Sequence, residues 1–105
     1  MSRVLEVWSG DPVAGVSEED ARTRLGEIKK LLLSTGAAEV RILEVWMGKS
    51  EYTYTIVVTY ESAASFGKIQ GENQDGTAWK NAMKNFQASP KLTFTFGSTY
   101  FETDI

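Results

Sequence analysis

The 105-residue chain has no cysteine, no histidine and only two prolines. Without cysteine there is no disulfide framework and no thiol nucleophile. With histidine missing too, zinc, copper, non-haem iron and iron–sulfur sites lose the ligands on which they depend. A haem iron would find no His or Cys axial ligand, and a Ser-His-Asp triad cannot be assembled. Any general base must be a carboxylate, Lys or Tyr. No metal and no cofactor is therefore expected. The nine glycines form neither GxGxxG nor GxxxxGK[ST], so nothing cradles a phosphate. Basic residues never occur three in a row and the net charge is −3, so nucleic acid is not an expected partner. Apolar runs such as Leu31-Leu32-Leu33 are too short to span a bilayer. The opening Met1-Ser2-Arg3-Val4-Leu5-Glu6 is too polar for a signal peptide, and the expected location is the cytoplasm.

What is present is ordinary for a globular protein: 42% hydrophobic and 24% charged residues. The length suits one domain, 1–105. Arg3 to Ser9 is rich in strand formers and stops at Gly10-Asp11-Pro12. Ser17 with Asp20 opens a helix in which Ala21, Leu25, Ile28 and Leu32 share one face. Lys29 and Lys30 suit its negative pole, and Gly36 ends it. A second strand is predicted over about 39–47 and a third over about 51–60, joined by the hairpin link Gly48-Lys49-Ser50. Ser62 caps a short helix to about Gln70, a polar break follows, and Thr77 to Phe86 is helical again. Lys91 to Thr103 reads as a long last strand. The order β-α-β-β-α-β is the ferredoxin-like split arrangement, an α+β sandwich with a four-stranded antiparallel sheet and helices on one face. Right-handed crossovers place strands 1 and 3 at the centre.

Period-two alternation predicts a helix-covered face of Leu5, Val7, Leu43, Val45, Met47, Tyr54, Ile56, Val58, Tyr60, Leu92, Phe94 and Phe96. On that reading, truncating Leu43 or Phe94 removes core. The opposite face would carry Val4, Glu6 and Trp8, then Ile42, Glu44 and Trp46, with Thr and Val57 between them and Thr93, Thr95 and Thr99 on the last strand. Arg3–Gly10 and Arg41–Gly48 match at six of eight positions, RVLEVWSG against RILEVWMG. Two strands of one sheet want the same pattern, so this short match is weak support for duplication. It does pair Glu6 with Trp8 and Glu44 with Trp46 as candidate ligand-binding residues. With the third strand between them, the two carboxylates stand about 10 Å apart, too far to share a proton. The bland alternative is that they bond to Thr hydroxyls, Lys or water, while both indoles fill an interface. A rival pocket, between helices and sheet, would be lined by Tyr54, Tyr60, Trp79 and Met83, which could equally be plain core. Catalytic residues stay unassigned.

Across nearly its whole length the chain resembles the dimeric α+β barrel superfamily, which includes NIPSNAP-like and EthD-like proteins, muconolactone isomerases and antibiotic-biosynthesis-type monooxygenases. The resemblance rests on LEVW at the start, LLLSTGA at the helix end, VRILEVW, YTYTIVVTYES running into AASFGKI, and the terminal FTFGSTYFE. It implies two sheets paired face to face in a homodimer. It also implies a small, partly apolar ligand, bound with or without turnover. The haem-using branches rely on a His that this chain lacks. Two alternatives remain: a cofactor-independent monooxygenase or isomerase with a carboxylate base, and a non-catalytic assembly protein with a filled barrel.

Overall fold

A computed structural model describes residues 2–49, 51–103 and 105. The seven elements in chain order are β1 (Val4–Pro12), α1 (Glu18–Ser34), β2 (Glu39–Glu44), β3 (Tyr54–Tyr60), α2 (Ala63–Asp75), α3 (Thr77–Ala88) and β4 (Leu92–Phe101). Every neighbouring pair of strands is antiparallel, in the order β2-β3-β1-β4. β1 and β3 are central, as right-handed crossovers require. The fold is the expected ferredoxin-like α+β sandwich, with its second crossing split into two helices.

Local chemistry explains where α1 begins and ends. Ser17 Oγ accepts the Asp20 backbone N–H at 3.0 Å, and Glu18, Glu19 and Asp20 occupy the positive first turn. Ala21, Leu25 and Leu32 are buried and Ile28 half-buried, on the face their spacing foretold. The helix runs on to Ser34, so Lys29 and Lys30 fall short of the last turn, which holds no basic residue. Gly36 follows at φ 116, and a Cβ there would stand 2.8 Å from Ile69 Cδ1, so glycine is required twice over.

Three boundaries differ from expectation. β2 stops at Glu44 and β3 starts only at Tyr54, so the link between them is far longer than the predicted hairpin. Asp11 is one reason: its carboxylate accepts both the Thr53 backbone N–H at 2.8 Å and the Thr53 hydroxyl at 2.9 Å, tying that residue to the end of β1. Ser50 of the predicted link lies outside the described residues. α2 continues through Gly71 to Asp75, because burial of Ile69 and Asn73 outweighs the roughly 1 kcal/mol that a helical glycine costs. The break falls at Gly76, where a Cβ would stand 2.9 Å from the Glu72 carbonyl oxygen.

The face assignment needs correcting for two strands and the end of a third. Val4, Glu6 and Trp8 pair with Tyr60, Val58 and Ile56, so they lie on the helix side of the sheet. Val40, Ile42 and Glu44 likewise pair with Val58, Ile56 and Tyr54. Leu5, Val7 and Leu43 therefore belong to the uncovered face, where Leu43 is 49% exposed and not core. In β4, Leu92, Phe94 and Phe96 lie on the helix side as predicted. A bulge then skips Gly97, so Thr99 pairs with Glu6 and shares its face. Both sheet faces carry apolar residues, so alternation alone could not say which one the helices cover.

Candidate functional site

Between the helices and the sheet lies a cavity of about 460 Å³. Its floor is sheet: Glu6 and Trp8 from β1, Ile56, Val58 and Tyr60 from β3, Leu92 and Phe94 from β4. Ile28 and Leu32 of α1 form one wall, and Trp79, Met83 and Phe86 of α3 form another. Those α3 residues recur at spacings of four and three, which aligns them on one helix face. They are only half-buried, since they close over a space and not over a solid core. Trp8 is held edge-on by Phe96, ring centroids 5.1 Å apart.

Polar groups gather at one part of this apolar space. Tyr60, 1% exposed, accepts a hydrogen bond from Gln70 Nε2 at 3.3 Å. Burial pushes the Tyr60 phenol up to about 12, and the negative charge of Glu6 adds to the effect. At neutral pH it is therefore an un-ionised O–H donor. Among the described residues, no hydrogen bond or ion pair holds the half-buried Glu6 carboxylate. Buried Asn73 also faces the cavity.

Arg24 supplies the cavity's one cationic side chain among the described residues. Its guanidinium lies 4.5 Å from the centre of the Phe86 ring. It donates to the Phe86 carbonyl at 3.4 Å and the Ser89 carbonyl at 3.0 Å, and pairs with Glu27 at 3.3 Å. Arg24 thus fastens α1 to the C-terminal end of α3.

The structure separates the four residues nominated from sequence. Glu6 and Trp8 line the cavity, together with Tyr60, Trp79 and Met83 of the rival pocket. Tyr54 is buried but does not line it. Glu44 accepts a hydrogen bond from Arg22 Nη2 at 2.9 Å, in a pair open to solvent. Trp46 follows the end of β2 and is 91% exposed. Gln70, Asn73, Arg24 and Phe86 were not foreseen as lining residues. Continuing the helical face of α2 past Gly71 would have pointed to Gln70 and Asn73.

The fold and cavity define a ferredoxin-like α+β protein with an apolar pocket beneath its helices. No family model matches the chain, and neither does any curated protein. Solved structures do share the fold. A dabb family protein with a ferredoxin-like fold from Mesorhizobium loti aligns at a TM-score of 0.70 and 14% identity, covering 98% of this chain and 99% of that one. A dimeric ferredoxin-like protein from an uncultured marine organism gives 0.63 and 14%, covering 97% and 96%. A candidate monooxygenase from Shewanella loihica gives 0.60 and 17%, covering 100% and 99%. These likenesses show the fold, shared along essentially the whole chain.

Proposed function

We propose that the protein is a homodimeric α+β barrel that binds a small, partly apolar molecule in the cavity between helices and sheet. The cavity itself carries this reading: about 460 Å³, largely apolar, with a few convergent polar groups, is the usual form of a small-ligand site. Glu6 and Trp8 are its ligand contacts from the sheet. Glu44 and Trp46 stand outside it. The dimer is supported by the uncovered face, where Leu5, Val7, Val57 and Leu43 lie beside Tyr100, itself 55% exposed. A sheet with helices on one side needs its other side polar or covered, and one structural neighbour is described as dimeric.

Native mass spectrometry and a neutral apolar dye, N-phenyl-1-naphthylamine, test both halves. A species at twice the 11.7 kDa chain mass is expected, with saturable dye binding, one per chain, abolished by cavity-filling Met83→Trp. A monomer at micromolar concentration would sink the dimer, and absence of saturable dye binding would sink the pocket. A second reading, a cofactor-independent enzyme, is favoured by one observation: the Glu6 carboxylate, unpaired among the described residues, beside the neutral phenol of Tyr60. Glu6 would act as base and Tyr60 as hydrogen-bond donor.

A further inference from the structure

We infer that the cavity selects its ligand by charge: it takes an aromatic-sized body carrying a protonated amine, and rejects the matching carboxylate. This rests on the proposed ligand-binding reading and adds the chemical class. Glu6 is the carboxylate on the cavity lining, and no cation among the described residues pairs with it. The positive lining group, Arg24, already pairs with Glu27 and donates to the carbonyls of Phe86 and Ser89. A ligand carboxylate would share Arg24 with Glu27 and bring a second negative charge into the cavity that holds Glu6, and like charges disfavour each other in a partly dry site.

An ammonium group meets the opposite conditions. Glu6 can accept from it directly, as charge-assisted pairs do. Tyr60 stays neutral and so adds no competing charge. Trp8, Tyr60, Trp79, Phe86 and Phe94 surround the space with ring faces and edges. Such rings pack a flat apolar body, and their faces attract a cation. The ligand would thus be oriented with its amine toward Glu6 and its ring toward α3.

Three probes of similar shape decide it: 2-phenylethylamine, 2-phenylethanol and 3-phenylpropionate, titrated calorimetrically into the full chain at pH 7. The amine is expected to bind at least about tenfold more tightly than the carboxylate, a modest difference for an ion pair in a partly wet site, with the alcohol between them. Glu6→Gln keeps the side chain's shape, and should bring all three within about threefold while the alcohol's affinity holds. Equal affinities in the unaltered protein, or an amine preference that survives Glu6→Gln, would overturn the inference and leave the pocket standing. No binding by any of the three, together with failure of the neutral dye, would overturn the pocket and the inference alike.

Discussion

Leu5-Glu6-Val7-Trp8 and Leu43-Glu44-Val45-Trp46 are the same four residues, one set in a central strand, the other running off the end of an edge strand. In β1 the tetrapeptide is bonded on both sides, to β3 and β4, and all four residues are at least partly buried. Trp8 becomes part of the cavity floor, and Glu6 sits beside Tyr60. β2 has β3 on one side alone and ends at Glu44, so Val45 is 42% and Trp46 91% exposed. Both carboxylates start on the helix side of the sheet, yet among the described residues one has no partner and the other meets Arg22. Neighbours across the sheet, not the residues themselves, decide whether this motif makes a pocket or a surface.

The largest contrast should come from removing the two indoles one at a time. Trp8→Ala takes a packed ring from between Phe96 and the cavity, and should lower unfolding stability by about 2–3 kcal/mol, less than a full core truncation because Trp8 is half-buried. Trp46→Ala should change it by no more than about 0.5 kcal/mol. Urea denaturation at one fixed protein concentration would show this. Comparable losses would mean that Trp46 is buried against a second copy, and that the contrast between the two copies of the motif does not survive assembly.

Assembly can be tested on Leu43, the residue of the edge copy that faces away from the helices. Leu43→Arg puts a charge into the apolar patch shared with Leu5, Val7 and Val57. If that face pairs with its counterpart, dimer dissociation by light scattering should rise at least about tenfold, since an unpaired buried charge is costly. An unchanged dissociation constant would place the interface elsewhere.

How much of this was legible in the sequence depends on what each residue needed. The helix face of α1, the capping by Ser17 and Ser62, and the strand order followed from local rules, because cap chemistry and crossover handedness do not depend on distant neighbours. The facing of β1 and β2 did not. Leu5 and Val7 look like core by composition, whereas Val4 and Trp8 are the residues that meet Tyr60 and Ile56. The signal was ambiguous because the uncovered face is also apolar. Nor could the late start of β3 be read, since the Thr53 N–H just before it donates to Asp11, over forty residues away. Tyr60, Trp79 and Met83 were recognisable as a group by pattern, but their meeting with Glu6 and Trp8 required the register of β1 on β3.

Each glutamate also lies close enough to a buried tyrosine to act on it, and the two pairs differ in strength. Tyr60 is pushed up to about 12 by burial and by Glu6. Tyr54 is raised by burial and by Glu44, but Arg22 pulls the other way. A raised phenol stays protonated in the folded state after the unfolded chain has begun to lose its proton, near pH 10. Its contribution is therefore complete below pH 10 and is lost as pH climbs to about 12. Tyr60→Phe should flatten the fall of stability across that window more than Tyr54→Phe does. Equal slopes in urea titrations of the two variants would refute the difference.

The smallest effect separates the carboxylates themselves. Glu44→Gln removes an ion pair whose side chains are 57% and 44% exposed, and Arg22 keeps Glu18 at 3.1 Å as a substitute. The expected loss is no more than about 0.5 kcal/mol, and it should fade between 50 mM and 500 mM salt as surface charges are screened. Among the described residues Glu6 has no ion pair to lose, so in Glu6→Gln stability should hold within the same limit and show no added salt dependence. Its consequence belongs to ligand binding. A clear, salt-sensitive loss of stability in Glu6→Gln would show that a cation does reach that carboxylate, from the chain or from a partner copy. The charge account of the cavity would then need that cation added.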